Sequence, residues 1–244
     1  MSNRLHNEIE HGKFLAREGA GEVWNWESPA GQKRWKRRVK MLTAHIKPTD
    51  QILEIGCGTG YFTKEIIKTG AFVTAIDISP ELLNIAKEEL KNNNIEFVIE
   101  NAYEMRFEHN RFDSIVGSSV LHHLEIEKAI KEMFRVLKPG GTIFFTEPNM
   151  MNPQIALQKN IPFLKRKLGD SPDETAFFRW SLHNLLTING FEAITIKPFD
   201  FLHPSLPGAL IPIVSSFGET VEKIPVLREI AGYLYILAKK PDVE

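Results

Sequence analysis

The run Ile52-Leu53-Glu54-Ile55 leads directly into Gly56-Cys57-Gly58-Thr59-Gly60, and an acid, Asp77, ends the next apolar run. An apolar stretch followed by glycines at every second position describes a strand that turns tightly into a helix. Glycine adopts backbone angles closed to other residues and lets a ligand approach the main chain. The start of the new helix offers unpaired N–H groups and a positive dipole end. Such a turn suits the charged or polar part of a nucleoside-containing cofactor. A second chemical group is Ser118-Ser119-Val120-Leu121-His122-His123-Leu124, just past another apolar run. An imidazole titrates near neutral pH, so His122 or His123 is a candidate general base. The alternative is that one of them caps or packs under the following helix. The two histidines are adjacent and point differently, and no spaced acid/His set accompanies them, so no metal site is expected. Cys57 reads as a packed side chain, not a nucleophile.

These groups need a frame. Gln51–Ile55 is expected as a buried strand, 60–69 as a helix closed by Gly70, and 71–77 as the second strand. Ser79-Pro80-Glu81 marks a helix start, with Ser as N-cap, Pro in the first turn and an acid at the positive dipole end. That helix runs to an Asn92-Asn93-Asn94 turn. Strands follow at 95–100 and 112–118. Ile126, Ile130, Met133, Phe134 and Leu137 recur at helical spacing until Lys138-Pro139-Gly140-Gly141 stops them, and a fifth strand covers 142–147. Residues 149–180 read as irregular, with Asn152-Pro153, Ile161-Pro162 and Ser171-Pro172 as breakers. A helix at 182–189 and strands at 191–197 and 233–239 complete the pattern. Strands alternating with helices imply an α/β fold: a doubly wound, mostly parallel seven-stranded sheet with helices on both faces. An N-terminal helical lid precedes it, and an insertion follows strand five. The expected division of this single domain is 1–48 lid, 49–148 cofactor-binding core, 149–218 lid and acceptor region with strand six, and 219–244 a C-terminal helix and last strand.

A dinucleotide fold would want G-x-G-x-x-G, and Tyr61 stands where its third glycine belongs. The strand-Glu-x-Gly-x-Gly-x-Gly pattern instead resembles the first motif of the class I S-adenosylmethionine-dependent methyltransferases, in their small-molecule, type 11-like branch. Other matches follow in order. Asp77 resembles the family acid that accepts hydrogen bonds from both ribose hydroxyls. Asn101-Ala102 stands where the family has an Asp at the adenine amino group, and an Asn carbonyl can still accept there. Phe112-Asp113-Ser114-Ile115-Val116 resembles the fourth-strand motif, and Leu137–Gly141 the turn before strand five. The resemblance implies S-adenosylmethionine as cofactor, S-adenosylhomocysteine as product, and cofactor contacts at Glu54, Gly56, Cys57, Gly58, Thr59, Gly60, Asp77, Ile78, Asn101, Ala102, Ser118 and Ser119.

Who receives the methyl group must be written elsewhere. The formal net charge of −1 exerts no pull toward nucleic acid, and nothing resembles the Asn/Asp-Pro-Pro-Tyr/Phe motif of nitrogen methylation. No nucleic-acid partner is expected. One cysteine in 244 residues fits a reducing compartment, and Met1–His11 has no apolar signal core, so a cytoplasmic location is expected. Phe201–Gly218 carries no Asp, Glu, Lys or Arg, but Pro204, Pro207 and Pro212 argue for an apolar wall rather than a membrane span. With Phe163, Phe177, Phe178, Trp180 and Phe199 it suggests a lid over an apolar pocket or peripheral contact with a lipid surface. The acceptor is therefore expected to be a small or lipid-linked molecule, methylated at oxygen. Lys33 to Lys40 form a cationic helix, either solvated or placing Arg34, Trp35 or Arg38 against a cofactor carboxylate or anionic substrate. Lys159, Lys165, Arg166 and Lys167 could likewise meet an anionic headgroup or be solvated. Alternatives are a non-catalytic methyltransferase-like scaffold and an NAD-dependent oxidoreductase.

Overall fold

A computed structural model describes residues 3–91 and 94–242; of the expected Asn92-Asn93-Asn94 turn, Asn92 and Asn93 lie outside the described residues. Three helices come first: α1 (Asn3–Glu18), α2 (Ala20–Val23) and α3 (Pro29–Thr43). The α/β rhythm follows with β1 (Gln51–Ile55), α4 (Thr63–Ile66) and a 3-10 turn at Ile67–Thr69, β2 (Phe72–Asp77), α5 (Pro80–Glu89), β3 (Ile95–Ile99) and β4 (Phe112–Ser118). After a 3-10 turn at Leu121–His123 come α6 (Ile126–Val136), β5 (Leu137–Pro148), α7 (Pro153–Asn160), α8 (Pro162–Lys167), α9 (Arg179–Ile188), β6 (Glu192–Phe199), α10 (Ile211–Val221) and β7 (Tyr233–Lys239).

Ser79 begins α5 as its sequence requires: its side chain accepts from Leu82 N, and Pro80 occupies the first turn. The same device starts α3, where Ser28 accepts from Gly31 N ahead of Pro29. It also corrects the reading of 149–180 as irregular. Asn152 accepts from Gln154 N and Ile155 N and Pro153 opens α7, while Pro162 opens α8. A proline in the first helical turn gives up an N–H that has no intrahelical partner anyway, so it starts a helix as readily as it breaks one. For the same reason the helix expected after 219 begins earlier, with Pro212 in the first turn of α10. The expected 60–69 helix contracts to α4 and its 3-10 extension, closed at Gly70 in the left-handed conformation. The Leu137–Gly141 segment is part of β5, with its register slipped against β4 between Phe112 and Ser114.

The seven strands are ordered β3-β2-β1-β4-β5-β7-β6. All are parallel except β7, which runs antiparallel to both β5 and β6. Alternation along the strands divides the core between the two faces. Leu53, Ile55, Ile115, Ile143 and Phe145 pack with α6 and α9 residues on one side, and Ile52, Val73, Val116 and Phe144 pack with Phe62, Ile66 and Leu83 on the other. A smaller cluster of Ala30, Leu202 and Ile211 ties α10 to the start of α3. The chain winds outward from β1 through β3 and then returns to β4, so a crevice opens beyond the carboxyl ends of β1 and β4. No helix among the described residues is long and apolar enough to cross a membrane.

Candidate functional site

That crevice holds a cavity of about 470 Å³, within the size range of small-molecule sites. Its floor is the glycine turn. Gly56 has φ 66° and Gly58 φ 54°, and both line the cavity. A Cβ on Gly56 would stand 2.3 Å from Val120 Cγ2, so the turn and the segment after β4 are packed too closely for any side chain there. The expected contacts divide at this point. Gly56, Cys57, Gly58, Asp77, Ile78, Asn101, Ala102, Ser118 and Ser119 all line the cavity. Glu54, Thr59 and Gly60 are not among its lining residues. Glu54 shares the β1 face of Ile52, toward α4, where its carboxyl accepts from Thr63 Oγ1 at 2.6 Å. Burial pushes that carboxyl up to about 7 despite the Thr63 bond. Gly60 instead makes room for Leu90, whose Cδ1 lies 2.6 Å from where a Cβ would be.

Asp77 is held by the backbone it caps. Its Oδ2 accepts from Gly58 N and its Oδ1 from Ser79 N, each at 2.9 Å. Burial raises its pKa, and these two backbone bonds oppose the rise. Each oxygen keeps a further lone pair for a ligand. Asn101 Oδ1 accepts from Tyr103 N, which likewise leaves one lone pair. Glu100 beside it was not foreseen as a site residue. It lines the cavity, buried, and accepts from Asn101 N, Arg106 N and Arg106 Nε. Ser119 adopts φ 57°, and its buried Oγ has no hydrogen-bond partner among the described residues. Burial, then Asp77 and Glu54, raise the Cys57 thiol well above its ordinary value, so it stays a neutral packed group.

The two histidines sit in different surroundings. His122 is buried, with Nδ1 2.6 Å from Glu147 Oε2 and Nε2 3.3 Å from Glu174 Oε1. Burial pulls its pKa down, but Glu147 and then Glu174 outweigh that and raise it to about 9. At neutral pH His122 therefore already carries its proton and is a poor base. His123 lies 2.8 Å from Glu8 Oε2, and its ring stacks 5.9 Å from that of His11. Glu8 and His11 come from α1, as does Arg4, which donates to the His122 and His123 carbonyls. Nothing in the local sequence marked these three. The acid/His set that sequence reading found lacking does exist: ligand atoms of His122, His123 and Glu174 lie within 4.8 Å of one another. It was missed because Glu174 arrives from a distant loop. Glu174 is also paired with Lys159, which makes a second ion pair of 3.0 Å with Asp170. Burial would raise the Glu174 carboxyl, but His123, His122 and Lys159 hold it below the ordinary range.

Comparison with known proteins decides the family. A methyltransferase domain model matches residues 53–145. The chain is 38% identical over 190 residues to the demethylmenaquinone methyltransferase of Staphylococcus haemolyticus, covering 68% of this chain and 78% of the relative. The chain belongs to the S-adenosylmethionine-dependent methyltransferases. It is also 32% identical over 134 residues to a ubiquinone/menaquinone biosynthesis C-methyltransferase of Vibrio parahaemolyticus, covering 52% of each chain, so it spans about half the length of that relative. The fold is shared with the N-methyltransferase NodS of Bradyrhizobium japonicum in complex with S-adenosylhomocysteine, at TM-score 0.66 and 18% identity, covering 97% of this chain and all of that one.

The cavity of this methyltransferase fits the family cofactor. It combines a glycine floor, the Asp77 carboxylate with lone pairs to spare, and a serine hydroxyl without a partner among the described residues, all at the sheet's switch point. α1 roofs it by packing on α5, with Gly12 against Ser79. Of the cationic helix, Arg34 and Arg38 line the cavity, whereas Trp35 packs outside it near Phe62 and Lys64. The raised His122 pKa sets the sign of a pH effect. Its ion pairs stabilise the fold fully below an unfolded-state value of about 6.5, and that stabilisation fades as pH rises through about 9. Between pH 6.5 and 10 the wild-type protein is expected to lose on the order of 2 kcal/mol more stability than His122→Gln, as denaturant melts at each pH will show.

Proposed function

We propose that this methyltransferase delivers its methyl group to a small or lipid-linked acceptor, at oxygen, with His123 as the general base. One observation carries the reading. A single cavity runs from Asp77 and the glycine turn past His123 to an end where the apolar walls of Trp26, Phe201, Leu202 and Tyr233 enclose Arg34, Arg38 and Asp200. S-adenosylmethionine, when bound, would supply a methyl activated by a sulfonium, with the neutral thioether of S-adenosylhomocysteine as the leaving group. The chain's task is to hold, align and exclude water. Asp77 is the proposed anchor for the ribose hydroxyls, Asn101 and Ala102 for the adenine edge, and Ser118 and Ser119 for the methionine end. His123, with Glu8 Oε2 2.8 Å from its Nδ1, takes the hydroxyl proton, while the protonated His122 pins the segment between Glu147 and Glu174. On this reading residues 1–48 are the lid, 49–148 the cofactor core, and 149–218 the acceptor wall.

The names of the Staphylococcus and Vibrio relatives support a quinone-type ring as acceptor, and the word C-methyltransferase favours carbon as a second reading. Labelled S-adenosylmethionine offered with a panel of hydroquinones and phenols, followed by NMR of the product, separates an O-methyl ether from a ring methyl. If oxygen is the acceptor, His123→Ala should lower kcat roughly a hundredfold, the low end for a general base, with the S-adenosylhomocysteine Kd unchanged. Full turnover in that variant would remove His123 as base.

A further inference from the structure

The acceptor end of the cavity contains an imbalance of charge that the cofactor reading does not use. Arg34 and Arg38 project from α3 into its wall, and both are buried, Arg38 at 0% exposure. They share one carboxylate oxygen. Asp200 Oδ2 accepts from Arg34 Nε at 2.9 Å and from Arg38 Nη2 at 3.2 Å. Asp200 Oδ1 is taken by Leu202 N. Two guanidinium groups thus face one carboxylate, and Arg38 Nε and Nη1 have no hydrogen-bond partner among the described residues. The Arg38 guanidinium lies 3.8 Å over the Tyr233 ring and 5.0 Å from the Trp26 ring. These ring contacts leave Nε and Nη1 as the donors with which the fork can act. A buried cation with unused donors beside a second cation is costly unless an anion completes it.

We propose that Arg38, with Arg34 and Tyr233, forms the subsite for an oxyanion carried by the methyl acceptor, a carboxylate or a phosphate monoester. The guanidinium fork matches two coplanar oxygens, which is why arginine rather than lysine suits such a site. Position assigns the anion to the acceptor rather than the cofactor. Tyr233 opens β7, three strands from the glycine turn on β1 and four from Asp77 on β2. At roughly 4.8 Å per strand the latter is about 19 Å, beyond the amino-acid arm of a cofactor whose ribose sits at Asp77. The proposal rests on the cavity being the acceptor site.

The test uses the full chain saturated with S-adenosylhomocysteine and calorimetry with three probes: benzoate, phenyl phosphate and the neutral phenol. The wild-type protein should bind one of the anions at least about tenfold more tightly than phenol, and the better anion distinguishes carboxylate from phosphate. Arg38→Met should erase that margin while phenol and S-adenosylhomocysteine bind as before. Arg38→Lys keeps a charge beside Asp200 if the Met variant does not fold, and it too should lose most of the margin. An anion preference that survives in both variants, or none in the wild type, overturns the proposal. So does a folded Arg38→Met that binds S-adenosylhomocysteine about tenfold more weakly, which would give the pair to the cofactor. If S-adenosylhomocysteine binds but phenol and both anions do not, the acceptor-cavity reading fails and the anion subsite falls with it.

Discussion

Asp77→Ala is expected to weaken S-adenosylhomocysteine binding about a thousandfold. Hydrogen bonds to a charged group contribute roughly 1.5–3 kcal/mol each, so two from a ribose diol amount to about 4 kcal/mol, or three orders of magnitude in Kd. The side chain is ready for this role before any ligand arrives. Gly58 N and Ser79 N hold its two oxygens from the main chain at 2.9 Å, so little rotamer entropy remains to be lost on binding. Asp77→Asn is the sharper variant. It keeps the shape, but both carboxylate oxygens accept from the backbone, so its amide nitrogen meets the N–H of Gly58 or of Ser79 whichever way it turns, and it should lose most of the same affinity. Isothermal calorimetry checks both. A Kd within fivefold of the wild-type value in either would show that Asp77 serves only the glycine turn and the start of α5.

Glu147→Gln should be the most destabilising conservative change at the site. Glu147 is fully buried at the end of β5 and takes four donors: Val120 N and Leu121 N at 2.9 Å, His122 N at 3.3 Å and His122 Nδ1 at 2.6 Å. A glutamine has one acceptor oxygen, so its amide nitrogen must point at N–H groups or at the protonated imidazole. Breaking one side of a buried pair costs about 3–5 kcal/mol. For a chain of this size that lowers Tm by about 10 °C. Glu54→Gln is the built-in contrast. Glu54 is also a buried glutamate on the strand before the glycine turn, but burial already pushes its carboxyl up to about 7, and among the described residues Thr63 is its one side-chain donor. A neutral amide there should cost under about 1 kcal/mol. Thermal melts of the two variants at pH 7 compare them directly. Equal shifts would mean that the Glu147 network does not hold the segment after β4.

Much of this molecule was legible without coordinates because it is encoded locally. The alternation of strand and helix, the Ser79-Pro80 cap and the glycine turn depend on residues a few positions apart, and so does the placing of Asp77 at the end of β2. Their physical causes are backbone φ limits, capping and hydrophobic periodicity, which act within a turn or two. The same local logic erred where one residue has two uses. Pro153 and Pro162 start helices, and no short-range signal separates a start from a break.

Sequence by itself therefore determined the family, the cofactor and the sheet that presents it. Only tertiary structure decided which chemical groups meet. It turned Glu54 and Gly60 away from the cavity and brought in Glu100. It made His122 a buried, protonated partner of Glu147 and Glu174, and gave His123 to Glu8 from the first helix. It also took Arg34 and Arg38, part of a cationic run that reads as a solvated face, and buried them against Asp200, some 160 residues away in the chain. Burial and charge pairing are set by which surfaces close on one another. The packing of α1, α3 and the segment after β6 over one end of the sheet is a property of the whole chain, so no window of sequence contains it.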